Sequence, residues 1–512
     1  MWQRDSPFVT FILKGVTMGR YIIGIDQSTQ GTKALLVDEG GHLIHRADRS
    51  HRQIVNEAGW VSHDPAEIAA NVLAAARAVV EETGVDPADI AGIGISNQRE
   101  TTVAWDRATG QPVCDAIVWQ CARARSVCEA VASADGAAEL VRGVTGLALS
   151  PYYPAAKMAW ILEHVPGAAA LAAQGDLCLG TIDSWVVWTL TGGRTFACDY
   201  SNASRTQLFD LEKLAWSDEV CALFGVDAAC LPEVRDSDAC FGETDLGGFL
   251  PAPVPIHGAL GDSHAALFGQ GCLSRGMAKA TLGTGSSVMM NVGPELVRSS
   301  CGLSSSLAWR MSGEASYVLE GNINYAGAVK TWLRDDMGLV ATPDEVTELC
   351  YAANPASHVY LVPAFTGLGA PHWASDAEAA VFGMTRTTGR AEFVRAADES
   401  IAYQIFDVAD AMRRDSGLAL SELRVDGGPT RDGYLMQFLS DLLETPLRAA
   451  GNDEMSGLGA AWCCGIALGM YGPEVTSATP PRATWDSAMA AEERAEKVAG
   501  WHHAVEVAIA YE

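Results

Sequence analysis

Apolar runs alternate along this chain with glycine-punctuated polar turns, a pattern that predicts strands and helices in succession. An apolar run opens at Tyr21, breaks at Asp26-Gln27-Ser28-Thr29-Gln30-Gly31-Thr32-Lys33 and resumes over residues 34–37, which predicts a β-hairpin. The Ala-rich span 66–83 predicts a helix. Residues 90–96 predict a buried strand ending in Asn97-Gln98-Arg99-Glu100-Thr101, and residues 102–105 a further strand. Helical patterns follow at 157–164 and 182–190. Three prolines within residues 251–255 predict a linker, because proline lacks the N–H that a helix interior or a central strand needs. Beyond it a strand at 256–260, a helix at 264–268 and a strand pair around Gly283-Thr284-Gly285 start the same design again. Two related α/β halves are the expectation.

Length supports that division. The 512 residues exceed what one hydrophobic core commonly serves, and 48% hydrophobic content with 19% charged leaves a core for each of two domains. The formal net charge of −28 sets the surface field against nucleic acid and against anionic membranes, so neither is an expected partner. The 13 cysteines include no CxxC pair. Cys114, Cys121 and Cys128, spaced by seven, predict a buried stripe on one helix face rather than a metal site. Reduced thiols fit a cytoplasmic protein. The apolar patch at 8–13 is broken by Lys14, too short to span a membrane and without a small-residue cleavage site. Residues 1–17 are therefore read as an extension ahead of Met18.

The first hairpin is where chemistry first enters. Its backbone N–H groups and hydroxyls can face an anion while Asp26 faces a metal, with Mg²⁺ held largely through water the expected ion. Neither the GxxxxGK frame of a P-loop nor the GxGxxG fingerprint is present. Tight turns use the same residues without any ligand, so the hairpin gains weight from three later features: Gly261-Asp262, Gly283-Thr284-Gly285 and Asp426-Gly427-Gly428. Arg99-Glu100 as a surface ion pair would contribute under about 1 kcal/mol and no function. Its place directly after a buried strand favours a site. His264 and His372 have no triad or ligand set around them and read as structural.

Residues 152–164, Tyr152-Tyr153-Pro154-Ala155-Ala156-Lys157-Met158-Ala159-Trp160-Ile161-Leu162-Glu163-His164, match the first signature of the FGGY carbohydrate kinases at every constrained position. Residues 379–399 match the second, apart from Asp398 at a usually apolar position. Spans 97–106, 116–120, 199–209, 362–371 and 423–428 are similar to the glycerol kinases of that family. From about residue 21 to 470 the chain resembles these enzymes.

The resemblance implies an α/β protein of two ribonuclease-H-like (actin-like ATPase) domains with an interdomain active-site cleft: residues 18–257, residues 258–475 and a helical tail at 476–512. It implies an ATP-dependent kinase that phosphorylates a primary hydroxyl of a small polyol, glycerol leading, with Mg²⁺ on Asp26. Thr29, Gln30, Gly31 and Lys33 would meet the terminal phosphates, and Thr284, Gly327, Thr331, Gly428 and Asp432 the rest of the nucleotide. Arg99, Glu100, Trp119, Tyr152 and Ser263 would hold the acceptor, with Asp262 as substrate contact and proton acceptor. Several positions depart from the glycerol kinase pattern: Lys33 stands for Arg, Thr331 for Gln, Asp432 for Asn, Ser263 for Gln and Ser287 for an aromatic residue. The two serines open volume, which keeps a four- or five-carbon polyol or ketose as an alternative acceptor. A nucleotide-switched interaction protein of the actin or chaperone kind would share the fold, but it gives Arg99-Glu100 no task. Homodimer and homotetramer both remain open.

Overall fold

The run Tyr21–Gln27 is buried almost throughout, as is its hairpin partner Gly31–Val37. Strands covered on both faces read as continuous apolar runs, and these two need a layer above and a layer below. The computed structural model describes residues 20–511, and the expected extension at 1–17 lies outside them. The first sheet has six strands in the order Cys240–Thr244, Val254–Gly261, Ile90–Asn97, Tyr21–Gln27, Gly31–Val37, Leu43–Ser50. The second has seven: Ser304–Met311, Glu314–Ile323, Ser286–Gly293, Met277–Leu282, Glu422–Asp426, Leu447–Ala449, Ala483–Trp485. Each is built on one plan. An antiparallel hairpin comes first, and its leading strand then takes a parallel neighbour, Ile90–Asn97 in one sheet and Glu422–Asp426 in the other. This is the expected pair of ribonuclease-H-like domains.

Helix Pro65–Glu81, capped by Asp64, which accepts from the backbone N–H of Ala66, covers one face of the first sheet. The other face is covered by Met455–Ala467, from far along the chain. Its approach is so close that a Cβ at Gly24 or Gly94 would collide with the carbonyls of Gly457 and Ala460. Two glycines facing a helix thus let the C-terminal part of the chain seal the N-terminal sheet.

Three expectations need correction. Val254 and Pro255 belong to strand Val254–Gly261, which is bonded on both sides, so the expected linker at 251–255 and the division at 257 fall inside the first sheet. Register shifts on both flanks accommodate Pro255, since a bulge relieves the ladder of one donor. The chain leaves this sheet only after helix Asp262–Gly269. Cys114, Cys121 and Cys128 share no helix, because the helix there begins at Arg125. The tail at 476–512 is helical over Ala491–Ala510 but also supplies the edge strand Ala483–Trp485. No helix among the described residues is long and apolar enough to cross a membrane.

Candidate active site

Asp26 sits at the end of its strand, directly opposite Lys33 in the hairpin register. Burial pushes its carboxyl up to about 6, with the negative charges of Asp262 and Glu454 adding, while Lys33 and a 3.0 Å hydrogen bond from Ser96 Oγ oppose. Lys33 Nζ lies 2.8 Å from Glu454 Oε2, and Arg46 takes the other oxygen, Oε1, of the same carboxylate. At the hairpin tip, Ser28 N–H and Oγ both donate to Gly31 O, and Gln30 is exposed. Thr29 Oγ1 accepts from Trp119 Nε1 at 2.9 Å, tying the turn to the segment that follows residues 116–117. A carboxylate that repels Asp262 and Glu454 fits a divalent cation, which would relieve the repulsion. No group of three His, Cys, Asp or Glu able to hold a metal exists among the described residues. Asp26 would therefore hold such an ion mainly with water and phosphate oxygens.

Arg99 and Glu100 follow strand Ile90–Asn97 and are almost fully buried. Arg99 grips Glu320 through two bonds of 2.9 and 2.8 Å, and its Nε lies 3.3 Å from Asp262 Oδ1. Glu100 takes Arg205 Nε at 2.7 Å, and Arg205 NH1 returns to Glu320 at 3.0 Å. Two cations and two carboxylates thus neutralise one another, and the cations hold Glu320 well below the usual carboxylate range against its burial. Glu100 has φ 60°, a left-handed conformation that costs a non-glycine residue energy. Lys157, fully buried, holds it there by donating to Glu100 O at 3.2 Å and to Tyr152 O. Trp119 and Tyr152 meet edge to face at 5.7 Å.

Asp262 opens helix Asp262–Gly269, and its side chain keeps 37% of its surface exposed beside buried Arg99. The shielding around it and Glu100 raise its carboxyl, which Arg99 pulls down. Ser263 meets Asp262 only through its backbone N–H. The Ser287 hydroxyl is not idle: it donates to Glu320 Oε1 at 3.0 Å. His264 is buried and neutral, both ring nitrogens without a protein partner, and His372 pairs with Asp407 at 2.9 Å.

The second-domain residues also converge. Thr284 O accepts from Ala326 N and Ala328 N, and Gly327 N reaches Gly283 O at 2.9 Å. Gly327, Thr331, Gly428 and Asp432 line one cavity of about 500 Å³. Lys330 lines it too, and sequence reasoning missed this residue.

Family comparison gives the arrangement a context. The N-terminal domain of the FGGY family of carbohydrate kinases matches residues 21–269, and the family's C-terminal domain matches 278–468. The chain belongs to the FGGY carbohydrate kinases. This FGGY kinase is 45% identical to a glycerol kinase of Stenotrophomonas maltophilia over 498 residues, 96% of this chain and 99% of that protein. It is 44% identical to a glycerol kinase of Listeria monocytogenes over 96% of this chain and 99% of that one. Among solved structures, Plasmodium falciparum glycerol kinase with ADP superposes with a TM-score of 0.90 at 33% identity, covering 96% of this chain and 99% of that one. A xylulose kinase from Lactobacillus acidophilus, at 20% identity and a TM-score of 0.84 over 95% of this chain and 97% of that one, shares the fold. A kinase family gives the Arg99-Glu100 cluster a task, which a nucleotide-switched interaction protein does not.

Proposed function

We propose that this FGGY kinase transfers the γ-phosphate of ATP to a primary hydroxyl of a small polyol, glycerol first. The observation that carries the reading is Asp262: a part-exposed carboxylate, raised toward neutrality, 3.3 Å from a buried guanidinium and near enough to Asp26 to shift its titration. Arg99 only donates and Glu100 only accepts, so side by side they can fix two neighbouring hydroxyls in one orientation. Trp119 and Tyr152 supply an aromatic wall for the carbon chain. The acceptor oxygen bonds to the γ-phosphorus as the bond to the bridging oxygen breaks, and Asp262 takes the hydroxyl proton. In a loose transition state that proton leaves late, so a carboxylate suffices. Mg²⁺ bound at Asp26 would neutralise charge on the phosphates. The 13 cysteines among the described residues form no disulfide, which supports a cytoplasmic enzyme.

ADP release measured against a panel of acceptors tests this reading. Stimulation by glycerol or another terminal diol is expected, and no stimulation by any polyol or sugar would remove it. A four- or five-carbon acceptor is favoured by one observation, the small side chains of Ser263 and Ser287 beside Asp262 and Glu320.

A further inference from the structure

Asp432, the residue expected to touch the nucleotide, already has a protein partner on each oxygen. Its Oδ1 accepts from the backbone N–H of Tyr434 at 3.0 Å and of Leu435 at 3.2 Å, capping helix Gly433–Leu443. Its Oδ2 takes Lys330 Nζ at 2.5 Å. The same ammonium lies 2.9 Å from Asp398 Oδ1, a carboxylate with no solvent exposure on the long helix Arg390–Ser416. Two departures from the family pattern, Asp398 and Asp432, are therefore joined by one cation. Burial works against that charge, and the two carboxylates outweigh it and hold Lys330 above its usual range.

An ammonium carries three N–H groups; one bonds Asp432, and the charge also pairs with Asp398. Lys330 keeps 12% of its side chain exposed, lining the cavity of about 500 Å³ with Gly327 and Gly428. Thr331 Oγ1 leans back toward Gly327 O, 3.4 Å away within its own helix. Arg334 and Arg431 also line the cavity, but their side chains are 45% and 72% exposed; Lys330 is the buried donor held at this wall, with an N–H left over.

We propose that Lys330, not Asp432, reads the bound nucleotide in this cavity, its ammonium donating to an acceptor atom of the base or ribose. The proposal rests on the kinase reading above and adds the residue that recognises the nucleotide. Asp398 and Asp432 are positioning residues: they aim the ammonium and balance its charge. Such a wall offers a charged donor where an Asn would offer a donor and an acceptor.

Calorimetric titration of the full chain with MgADP tests it. Asp432→Asn leaves Lys330 in place beside Asp398, so ADP binding should weaken clearly less than when the ammonium itself is removed. The triple variant Lys330→Met/Asp398→Leu/Asp432→Asn removes the cation with both partners, leaving no buried charge unpaired. It should bind ADP at least about tenfold more weakly, with KM for ATP raised and KM for the acceptor unchanged. Should that variant not fold, the size-preserving triple Lys330→Gln/Asp398→Asn/Asp432→Asn gives the same readout without an unpaired charge. A folded neutral variant that binds ADP like wild type would show that Lys330 only balances charge, and would overturn the proposal alone. Wild type that binds no ADP would overturn the kinase reading and this proposal together.

Discussion

Arg99 is clamped by Glu320, 221 residues further along the chain, through two parallel hydrogen bonds of 2.9 and 2.8 Å. Arg99 follows a strand of the first sheet and Glu320 lies in a strand of the second, so this guanidinium is held by the opposite domain. Removing one partner of a buried ion pair leaves a charge uncompensated, at a cost of about 3–5 kcal/mol. Glu320→Gln strips the charge that Arg99 and Arg205 both face. A lower urea midpoint together with a raised KM for the acceptor is expected; an unchanged midpoint would show that Glu320 does not hold the two arginines.

Asp262→Asn keeps the shape of the side chain and removes its ability to take a proton. Turnover should fall by about 10²–10⁴ while ADP affinity stays within about twofold, because general-base catalysis is lost and the nucleotide cavity is untouched. Near-normal kcat in the variant would take Asp262 out of the mechanism.

Asp26 gives the enzyme a pH dependence. Its carboxyl is raised from 3.8 to about 6, so between those values the folded protein holds a proton that the unfolded chain has lost. Stability therefore falls as pH rises through that window, the reverse of a salt-bridged carboxylate. Metal binding at Asp26, as proposed, would have the opposite slope, since only the ionised form binds, and apparent Mg²⁺ affinity should drop about tenfold per pH unit below about 6. Mg²⁺ titrations of the ADP complex at pH 5, 6 and 7 measure it. A flat response between pH 5 and 6 would dissociate Asp26 from the metal.

What the sequence revealed and what it hid divide along one physical line. The glycine-punctuated hairpins were legible because a turn needs particular residues within a few positions, and Arg99-Glu100 was legible because it lies inside a local motif. Glu320 and Arg205 were not. Their task is to neutralise Glu100 and Arg99 from 105 and 221 residues away, and no local pattern records that distance. One signal was present: Glu320 is a lone acid within the apolar run of strand Glu314–Ile323, where an unpaired charge would not be tolerated. Lys330 was hidden for the same reason, one partner lying on helix Arg390–Ser416 and the other capping helix Gly433–Leu443. The linker was misread because proline is excluded from regular ladders but not from bulged ones, and the bulge beside Pro255 depends on neighbouring strands.

Lys157 joins the FGGY signature to the site. Buried and lowered to about 7 by the loss of water, its amine holds the carbonyls of Glu100 and Tyr152 together. Lys157→Met fills the same space without a donor and should release Glu100 from φ 60°. A rise in acceptor KM of about tenfold or more with unchanged ADP affinity is the expected split. Equal weakening of both substrates would assign Lys157 a purely structural role.

On the proposed function, the acceptor is set by what surrounds Arg99, Glu100, Trp119 and Tyr152. These four suit a terminal –CH(OH)–CH₂OH unit, so glycerol should be accepted. Beyond that unit stand Ser263, which offers Asp262 only its backbone N–H, and Ser287, whose hydroxyl is spent on Glu320. Neither gives a three-carbon chain an apolar contact. One such contact is worth about 1–3 kcal/mol, or roughly 10- to 200-fold in kcat/KM. A four- or five-carbon polyol or ketose should therefore reach a higher kcat/KM than glycerol. Ser287→Phe should shift the ratio back toward glycerol by about tenfold, because the ring occupies the volume that the longer chain needs. If wild type instead prefers glycerol over every longer acceptor by a wide margin, the small side chains do not set specificity, and Ser287→Phe should then lower activity on glycerol by breaking the bond to Glu320.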